Sequence, residues 1–352
     1  CYIKSVVENY RETITKKNLK TLVLDNFLYT KLITHNNDNY TTQFEPLKRN
    51  QLNNKDPYTL LIHKLQLCHK FSYDLFNSIK FIPFFRHDDV MLSFSNINGS
   101  VGPHYDSYDV FLFQGSGEKK WSIGAPQKKR ESNSKFKINK KFKKQFEFLA
   151  KPGDVIYIPP NTPHYGVAKT NNCITYSIGF RSPSNHDIKQ RYLEFLMDDD
   201  LDEFDIYNDT NDKNLNIKGE ISSKLIKYIK GKCKSSISIN KSSIFIGQFM
   251  SEPDLDTTFT KKYHSHKRLM SNLKEQKIYF DTASRAVYFD NTFFINGVNI
   301  PVQKIDYNFF KDFFDNKECK IIFCGKNQAL ENIIIELLND GFIHLNSPKF
   351  LI

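Results

Sequence analysis

The run Gly102-Pro103-His104-Tyr105-Asp106 is followed, 58 residues beyond the aspartate, by His164 at the end of Pro159-Pro160-Asn161-Thr162-Pro163-His164. Residues i and i+2 of a β-strand project to the same face, so His104 and Asp106 are expected to point into one cavity, with Tyr105 directed away. His164 would close that face from a later strand. Two imidazoles and one carboxylate on one face of an octahedron leave positions open. That suits a non-haem ferrous centre, which must accept a chelating cosubstrate and then dioxygen, whereas a closed structural zinc site would waste the openings. A lone H-x-D carries little weight, because ten histidines among 39 acidic residues often produce it by chance. The surroundings must supply the rest.

Lys119 and Lys120 follow in the strand-like run Lys-Lys-Trp-Ser-Ile-Gly. Alternation turns Lys119 inward and Lys120 outward. A buried cation needs a buried anion. If the 2-oxo acid end of 2-oxoglutarate chelates the metal, its far carboxylate would pair with Lys119. The competing reading makes both lysines surface charges flanking Trp121, and it leaves the metal face without a cosubstrate anchor.

Elements that position these residues can be read from periodicity. Leu60, Leu61, Leu65, Leu67 and Phe71 recur at helical spacing between Pro57 and Ile79, which predicts a helix there. Val90, Leu92 and Phe94 then alternate with Met91, Ser93 and Ser95, so helix gives way to strand near Asp88. After a glycine and asparagine turn over 96–102, short β-rich runs follow at 110–114, 119–123, 154–158 and 174–180, the spacing of an antiparallel barrel. Beyond Arg181 the character changes. Ile188, Tyr192, Phe195 and Leu196 share a helical face, and an acidic patch follows (Asp198, Asp199, Asp200, Asp202, Glu203, Asp205), so a domain boundary is placed near Pro183. Residues 186 to about 265 read as helical with polar interruptions. Residues 278–300 read as two strands around Asp290 and Asn291. Leu330, Ile333, Ile334, Leu337 and Leu338 form a helical stripe closed by Gly341, before a final apolar strand over 342–345. There is no internal repeat.

The 352 residues exceed one ordinary core, and an apolar content of 39% places the chain among folded proteins. No apolar run is long enough for a membrane span and no signal peptide is visible, so a soluble, cytoplasmic protein is expected. The chain opens on Cys1 rather than Met, and its natural start is expected upstream. Six cysteines without a C-x-x-C fit neither a zinc knuckle nor a disulfide framework and read as thiols of a reducing compartment. Fifty basic against 39 acidic residues give a net charge of +11, which attracts polyanions, although heavy use of Lys, Asn and Ile suggests an AT-rich genome and discounts that charge. Much of the excess lies between Lys128 and Lys144, most simply a solvated loop.

Four runs carry a specific resemblance: 88–95 (Asp-Asp-Val-Met-Leu-Ser-Phe-Ser), 101–111 around His104, 152–160 (Pro-Gly-Asp-Val-Ile-Tyr-Ile-Pro-Pro) and 176–181 (Tyr-Ser-Ile-Gly-Phe-Arg). Together they resemble the ribosomal oxygenases, cupin-like members of the JmjC group, and above all the bacterial branch that hydroxylates an arginine of a large-subunit ribosomal protein near the peptidyl-transferase centre. The resemblance is dense over 57–185, weaker over 277–352 and poor before 50. It implies a mainly β plus α fold: a double-stranded β-helix (cupin/JmjC) barrel with a helical N-terminal part over 1–185, a helical linker and dimerisation region over 186–270, and a winged-helix-like domain over 271–352. Fe(II) is the implied cofactor, with 2-oxoglutarate and dioxygen as cosubstrates. His104, Asp106 and His164 match the iron ligands, Lys119 matches the holder of the distal 2-oxoglutarate carboxylate, and Thr175 is a second, weaker cosubstrate contact. Asp89, Met91, Tyr108 and Ser177 fall where the bacterial enzymes line the arginine pocket. Their chemistry agrees, since an aspartate accepts a bidentate guanidinium and a tyrosine face stacks on that planar cation.

The chain departs from the family at three points. The bacterial branch often has Arg where Lys119 stands, the tryptophan-containing opening segment is not visible, and the 128–144 insert is longer and more basic than expected. That insert suggests a ribosomal RNA contact. The resemblance therefore implies a homodimeric, cytoplasmic protein hydroxylase acting on arginine, with histidyl hydroxylation or lysyl demethylation as enzymatic alternatives. A non-catalytic cupin module that binds the ribosome or RNA is the alternative of another class. Other metal-dependent cupins, which carry H-x-H with a further Glu and His, fit least.

Overall fold

A computed structural model describes residues 1–8, 10–23, 28–36, 39–126, 142–199, 239–254, 256–265 and 275–352, with Lys224, Ile226, Lys227, Lys230, Lys267 and Leu269. Most of the basic insert, the acidic patch from Asp200 onward and Cys233 lie outside the described residues. The chain divides into two compact units, Cys1–Ser182 with Lys349–Ile352, and Pro183–Pro348.

The first unit is two facing antiparallel sheets of the jelly-roll kind. Its strands are β1 (Tyr2–Ile3), β2 (Thr30–Asn36), β3 (Asn39–Phe44), β4 (Tyr58–Ile62), β5 (His87–Ser95), β6 (Asp109–Ser116), β7 (Lys119–Gly124), β8 (Lys144–Ala150), β9 (Val155–Ile158), β10 (His164–Ala168) and β11 (Cys173–Phe180). Eight of them form one sheet in the order β1-β9-β6-β11-β5-β4-β2-β3, and β10-β7-β8 form the other. Alternation divides each strand of the large sheet between two environments. Val90, Leu92 and Phe94 of β5, with Ile174, Tyr176 and Ile178 of β11, enter an apolar core that also takes Leu19 and Leu22 from α1 (Lys16–Leu22) and Phe76 from α2 (Lys70–Ser78). Each such side chain contributes roughly 1.5–3 kcal/mol by leaving water. The opposite face carries Met91 and Ser93 of β5 and Thr175 and Ser177 of β11, paired as Ser177 with Met91 and Thr175 with Ser93. α1 starts at a capping box in which the Asn18 amide donates to Thr15 Oγ1 and the Thr15 amide donates to Asn18 Oδ1.

The helix expected over 57–79 is overturned in its first half. Tyr58–Ile62 is a strand buried at all five positions, flanked by β2 and β5, and only Lys70–Ser78 is α-helical. A strand covered on both faces is continuously apolar, so periodicity alone does not separate it from a buried helix. β8 and β10 carried too little alternation to be recognised in the sequence.

In the second unit, α3 (Asn185–Asp199) packs on α4 (Ile239–Ser251) through Tyr192 and Phe195 against Phe245, with ring centroids 5.0 and 5.6 Å apart. Where two strands were expected over 278–300, four form: β12 (Gln276–Phe280), β13 (Ala286–Phe289), β14 (Thr292–Ile295) and β15 (Val298–Ile300). Asp290 and Asn291, both at positive φ, make the tight β13–β14 turn. α5 (Tyr307–Asn316) and β16 (Glu318–Ile321) were also missed; α6 (Gln328–Asn339), closed by Gly341 at φ +77°, and β17 (Ile343–His344) complete the unit. Among the described residues no helix is long and apolar enough to cross a membrane.

Candidate active site

His104 and Asp106 do not lie on a regular strand. His104 forms an isolated antiparallel bridge with His164, each backbone amide donating to the other residue's carbonyl at 3.0 and 2.8 Å. This bridge joins the 102–106 loop to the start of β10, far apart in sequence, and brings the imidazoles together, with ring centroids 4.2 Å apart. Asp106 is tied to the same place, because the Asn161 amide donates to its carbonyl at 2.7 Å. Asp106 Oδ2 stands 3.7 Å from His164 Nε2, and one ligand atom from each of the three residues lies within 4.8 Å of the others. Among the described residues this is the one group of His, Cys, Asp and Glu side chains so gathered.

The tautomers follow from the partners. His104 Nδ1 is 2.9 Å from the Gly102 carbonyl and His164 Nδ1 is 3.0 Å from the Thr162 carbonyl. A carbonyl can only accept, so each Nδ1 carries the proton and each Nε2 presents a lone pair to the shared space, the arrangement a metal-ligating histidine requires. Burial pushes the His164 imidazole down to about 3, helped by the neighbouring His104, and so keeps that lone pair available. Burial also raises the Asp106 carboxyl, while His104 pulls it back. A divalent cation would reverse that penalty by supplying the missing positive charge.

Lys119 begins β7 and is 4% exposed, while Lys120 is exposed, so alternation turns the two as expected. Its ammonium donates to Ser93 Oγ at 3.0 Å and Thr175 Oγ1 at 3.3 Å, and Thr175 Oγ1 in turn donates to Gln114 Oε1 at 3.1 Å. These partners are neutral, and burial lowers the Lys119 pKa. β7 and β10 place Ala168 opposite Lys119, Gly166 opposite Trp121 and His164 opposite Ile123. Lys119, Trp121 and His164 therefore share one face. The Lys119 ammonium sits 5.4 Å from the Trp121 ring, and that ring lies 6.0 Å from the His164 ring. Gly166 makes this possible, because a Cβ there would stand 2.8 Å from the indole.

Of the remaining residues expected at a site, Met91 and Ser177 pair on the same inner face. Asp89 meets His63 and Lys64, and it also flanks Gly179 together with Tyr108. Burial and the nearby carboxylates of Asp106, Asp89 and Asp88 hold the Tyr108 hydroxyl well above the usual phenol range. Sequence reading missed Ser93, Gln114, His63 and the carbonyls of Gly102 and Thr162. Only the i−2 spacing of those two carbonyls from their histidines was a signal that could have been seen.

The donor set fits ferrous iron and 2-oxoglutarate. Two free Nε2 atoms and a carboxylate suit the metal, and a buried cation held only by neutral groups suits the far carboxylate.

Residues 74–188 match the JmjC domain family. The chain is 27% identical over 201 residues to the ribosomal protein uL16 3-hydroxylase of Escherichia coli K12, covering 56% of this chain and 54% of that protein. It is 34% identical over 159 residues to a probable ribosomal oxygenase of Haemophilus influenzae, covering 43% of this chain and 38% of that one. The matches thus span about half or less of these relatives. A solved structure of YcfD, a ribosomal oxygenase from Escherichia coli in complex with cobalt and 2-oxoglutarate, superposes with a TM-score of 0.80 over 98% of this chain and 94% of that one, at 21% identity. The likeness establishes a shared cupin-like fold. Residues 74–188 are thus similar to the JmjC domain, on a chain whose relatives include one named as a ribosomal protein hydroxylase and one named as a probable ribosomal oxygenase.

Proposed function

We propose that the chain is a 2-oxoglutarate- and Fe(II)-dependent dioxygenase that hydroxylates an arginine side chain of a large-subunit ribosomal protein. The observation that carries this is the buried Lys119 ammonium, without a carboxylate partner among the described residues, on the face that holds His164. Ferrous iron, when bound, supplies the activation of dioxygen that is coupled to oxidative decarboxylation of 2-oxoglutarate to succinate and carbon dioxide. Everything else falls to the chain's own residues. His104, Asp106 and His164 would hold the metal, and the Gly102 and Thr162 carbonyls keep both imidazoles neutral and aimed. Lys119 and Thr175 would fix the far end of the cosubstrate. Trp121 walls the space between anchor and ligands and excludes water. Asp89 and Tyr108 supply a carboxylate edge and an aromatic face for a guanidinium, with Met91 and Ser177 beside them on the inner face.

The relatives' names support a ribosomal protein as substrate, and uL16 is the first to try. Incubation of the chain with Fe(II), 2-oxoglutarate, dioxygen and uL16 peptides should add one oxygen atom to an arginine, as located by mass spectrometry. Oxygen on histidine, or loss of methyl groups from lysine, would replace this reading with another JmjC activity. Peptide binding without succinate release would leave a binding module. The same reading makes the chain a cytoplasmic homodimer through its 186–270 helices, where Leu193 is 61% and Met197 77% exposed, and makes 271–352 a winged-helix-like unit.

A further inference from the structure

β5 and β11 fall out of register at one point on the inner face. Ile178 lies opposite Val90 and Phe180 opposite His87, so Gly179 alone faces the two residues Asp88 and Asp89. An extra residue in one strand re-aims the side chains around it. Here it brings the Asp89 carboxylate over Gly179. The two oxygens of Asp89 then have different surroundings. Oδ2 lies 3.3 Å from His63 Nδ1 and accepts the Lys64 backbone N–H at 3.4 Å. Oδ1 lies 3.4 Å from the point where a Cβ on Gly179 would stand, and Tyr108 Cε2 lies 3.8 Å from that same point.

The backbone does not explain this glycine. Gly179 is not at positive φ, and a methyl there would make only ordinary contacts of 3.4–3.9 Å. Alanine would fit. What alanine would remove is a methyl-sized volume that a carboxylate oxygen and an aromatic ring both border. Such a slot matches a planar cation, which gains the carboxylate along its edge and the ring across its face. A compact ammonium is drawn to both groups as a point charge, but it has no flat face to stack and no forked N–H edge, so it fills the slot less well.

We propose that Gly179 is a specificity-determining residue, holding open a guanidinium slot between Asp89 Oδ1 and Tyr108, and that His63 is the positioning residue that turns Oδ1 into it. The proposal rests on the arginine reading above. His63 reaches Asp89 through Nδ1, and its Nε2 is buried with no hydrogen-bond partner among the described residues, so the ring's polar contact there is the one that braces Asp89.

The test uses the full chain with Mn(II) and 2-oxoglutarate under anaerobic conditions, and fluorescein-labelled overlapping uL16 peptides as the probe, followed by aerobic turnover with Fe(II). Gly179→Ala should melt at the wild-type temperature and bind 2-oxoglutarate with unchanged affinity. Its Kd and KM for the arginine peptide should rise by about tenfold or more, the size of effect one surplus carbon has in a fitted pocket. His63→Leu should raise the peptide KM several-fold with a smaller change in kcat. His63→Asn, which returns an N–H near the position of Nδ1, should recover most of it. Wild type that hydroxylates arginine, alongside a Gly179→Ala variant with unaltered peptide Kd and KM, overturns the slot and leaves the arginine reading standing. Wild type that oxidises histidine or demethylates lysine instead overturns both.

Discussion

The two ends of the proposed cosubstrate cavity are built by different means. At the metal end, His104 and His164 are each oriented by a carbonyl two residues earlier in the chain, Gly102 and Thr162, so each ligand and its support form one short motif. At the other end, Lys119 on β7 is held by Ser93 on β5 and Thr175 on β11, and Thr175 is held by Gln114 on β6. Four strands are needed to place one ammonium. A locally supported ligand survives wherever its loop is kept, whereas a cation supported across strands depends on the register of the whole sheet.

This contrast can be tested by removing parts from each end. The largest effect should come from His164→Ala or His104→Ala, which delete a ligand. Turnover should fall to background and metal content, measured by mass spectrometry of the dialysed protein, should drop, while the melting temperature changes little. Full succinate release from either variant would remove the metal site from the argument.

Lys119→Met should separate binding from stability. Cosubstrate affinity by calorimetry should fall by roughly 30-fold or more, as expected when a buried charge pair loses one member. The unloaded protein should nevertheless become more stable, by about 1–3 kcal/mol in urea unfolding, because an ammonium lacking a carboxylate partner leaves the interior. A less stable variant would mean that the hydroxyl cradle already compensates the charge.

Smaller again, Thr175→Val removes one neutral acceptor from Lys119 and should raise the KM for 2-oxoglutarate about two- to tenfold, the range of a single hydrogen bond. An equal effect at the peptide KM would blur the boundary between the two ends.

The smallest effect on turnover lies outside the cavity, at a residue that acts on stability instead. Burial pushes His69 down to about 4 from an unfolded value near 6.5, so between those values the unfolded chain takes up a proton that the folded chain refuses. Its share of stability is complete above pH 6.5 and is lost as pH falls toward 4, on the order of 3 kcal/mol in all. A His69→Gln variant should show a correspondingly flatter stability profile in urea titrations across that window, whatever its turnover.

The same division of local from non-local explains what the sequence disclosed. His104, Asp106 and His164 could be found from spacing and loop chemistry because each histidine is oriented by a carbonyl two residues before it, although the backbone bridge that gathers them joins distant segments. Lys119 could be found from alternation, since β7 obeys it. Ser93 and Gln114 could not, because nothing in a serine or a glutamine announces a distant lysine. Tyr58–Ile62 was misread as helix for a related reason: a strand with neighbours on both sides and cover on both faces has no polar face to reveal its period. Gly179 and His63 became visible only once the pairing of β5 with β11 was known, because the irregularity between them belongs to two strands at once.

The chain has a single tryptophan, and it lies between the Lys119 ammonium and the His164 ring, flat against Gly166. Any anion that settles on Lys119, or any cation that settles on His164, alters the electric field across the one indole in the molecule. Its ultraviolet emission therefore works as a built-in gauge, and stepwise additions of metal and of 2-oxoglutarate should each change its intensity without a label being attached.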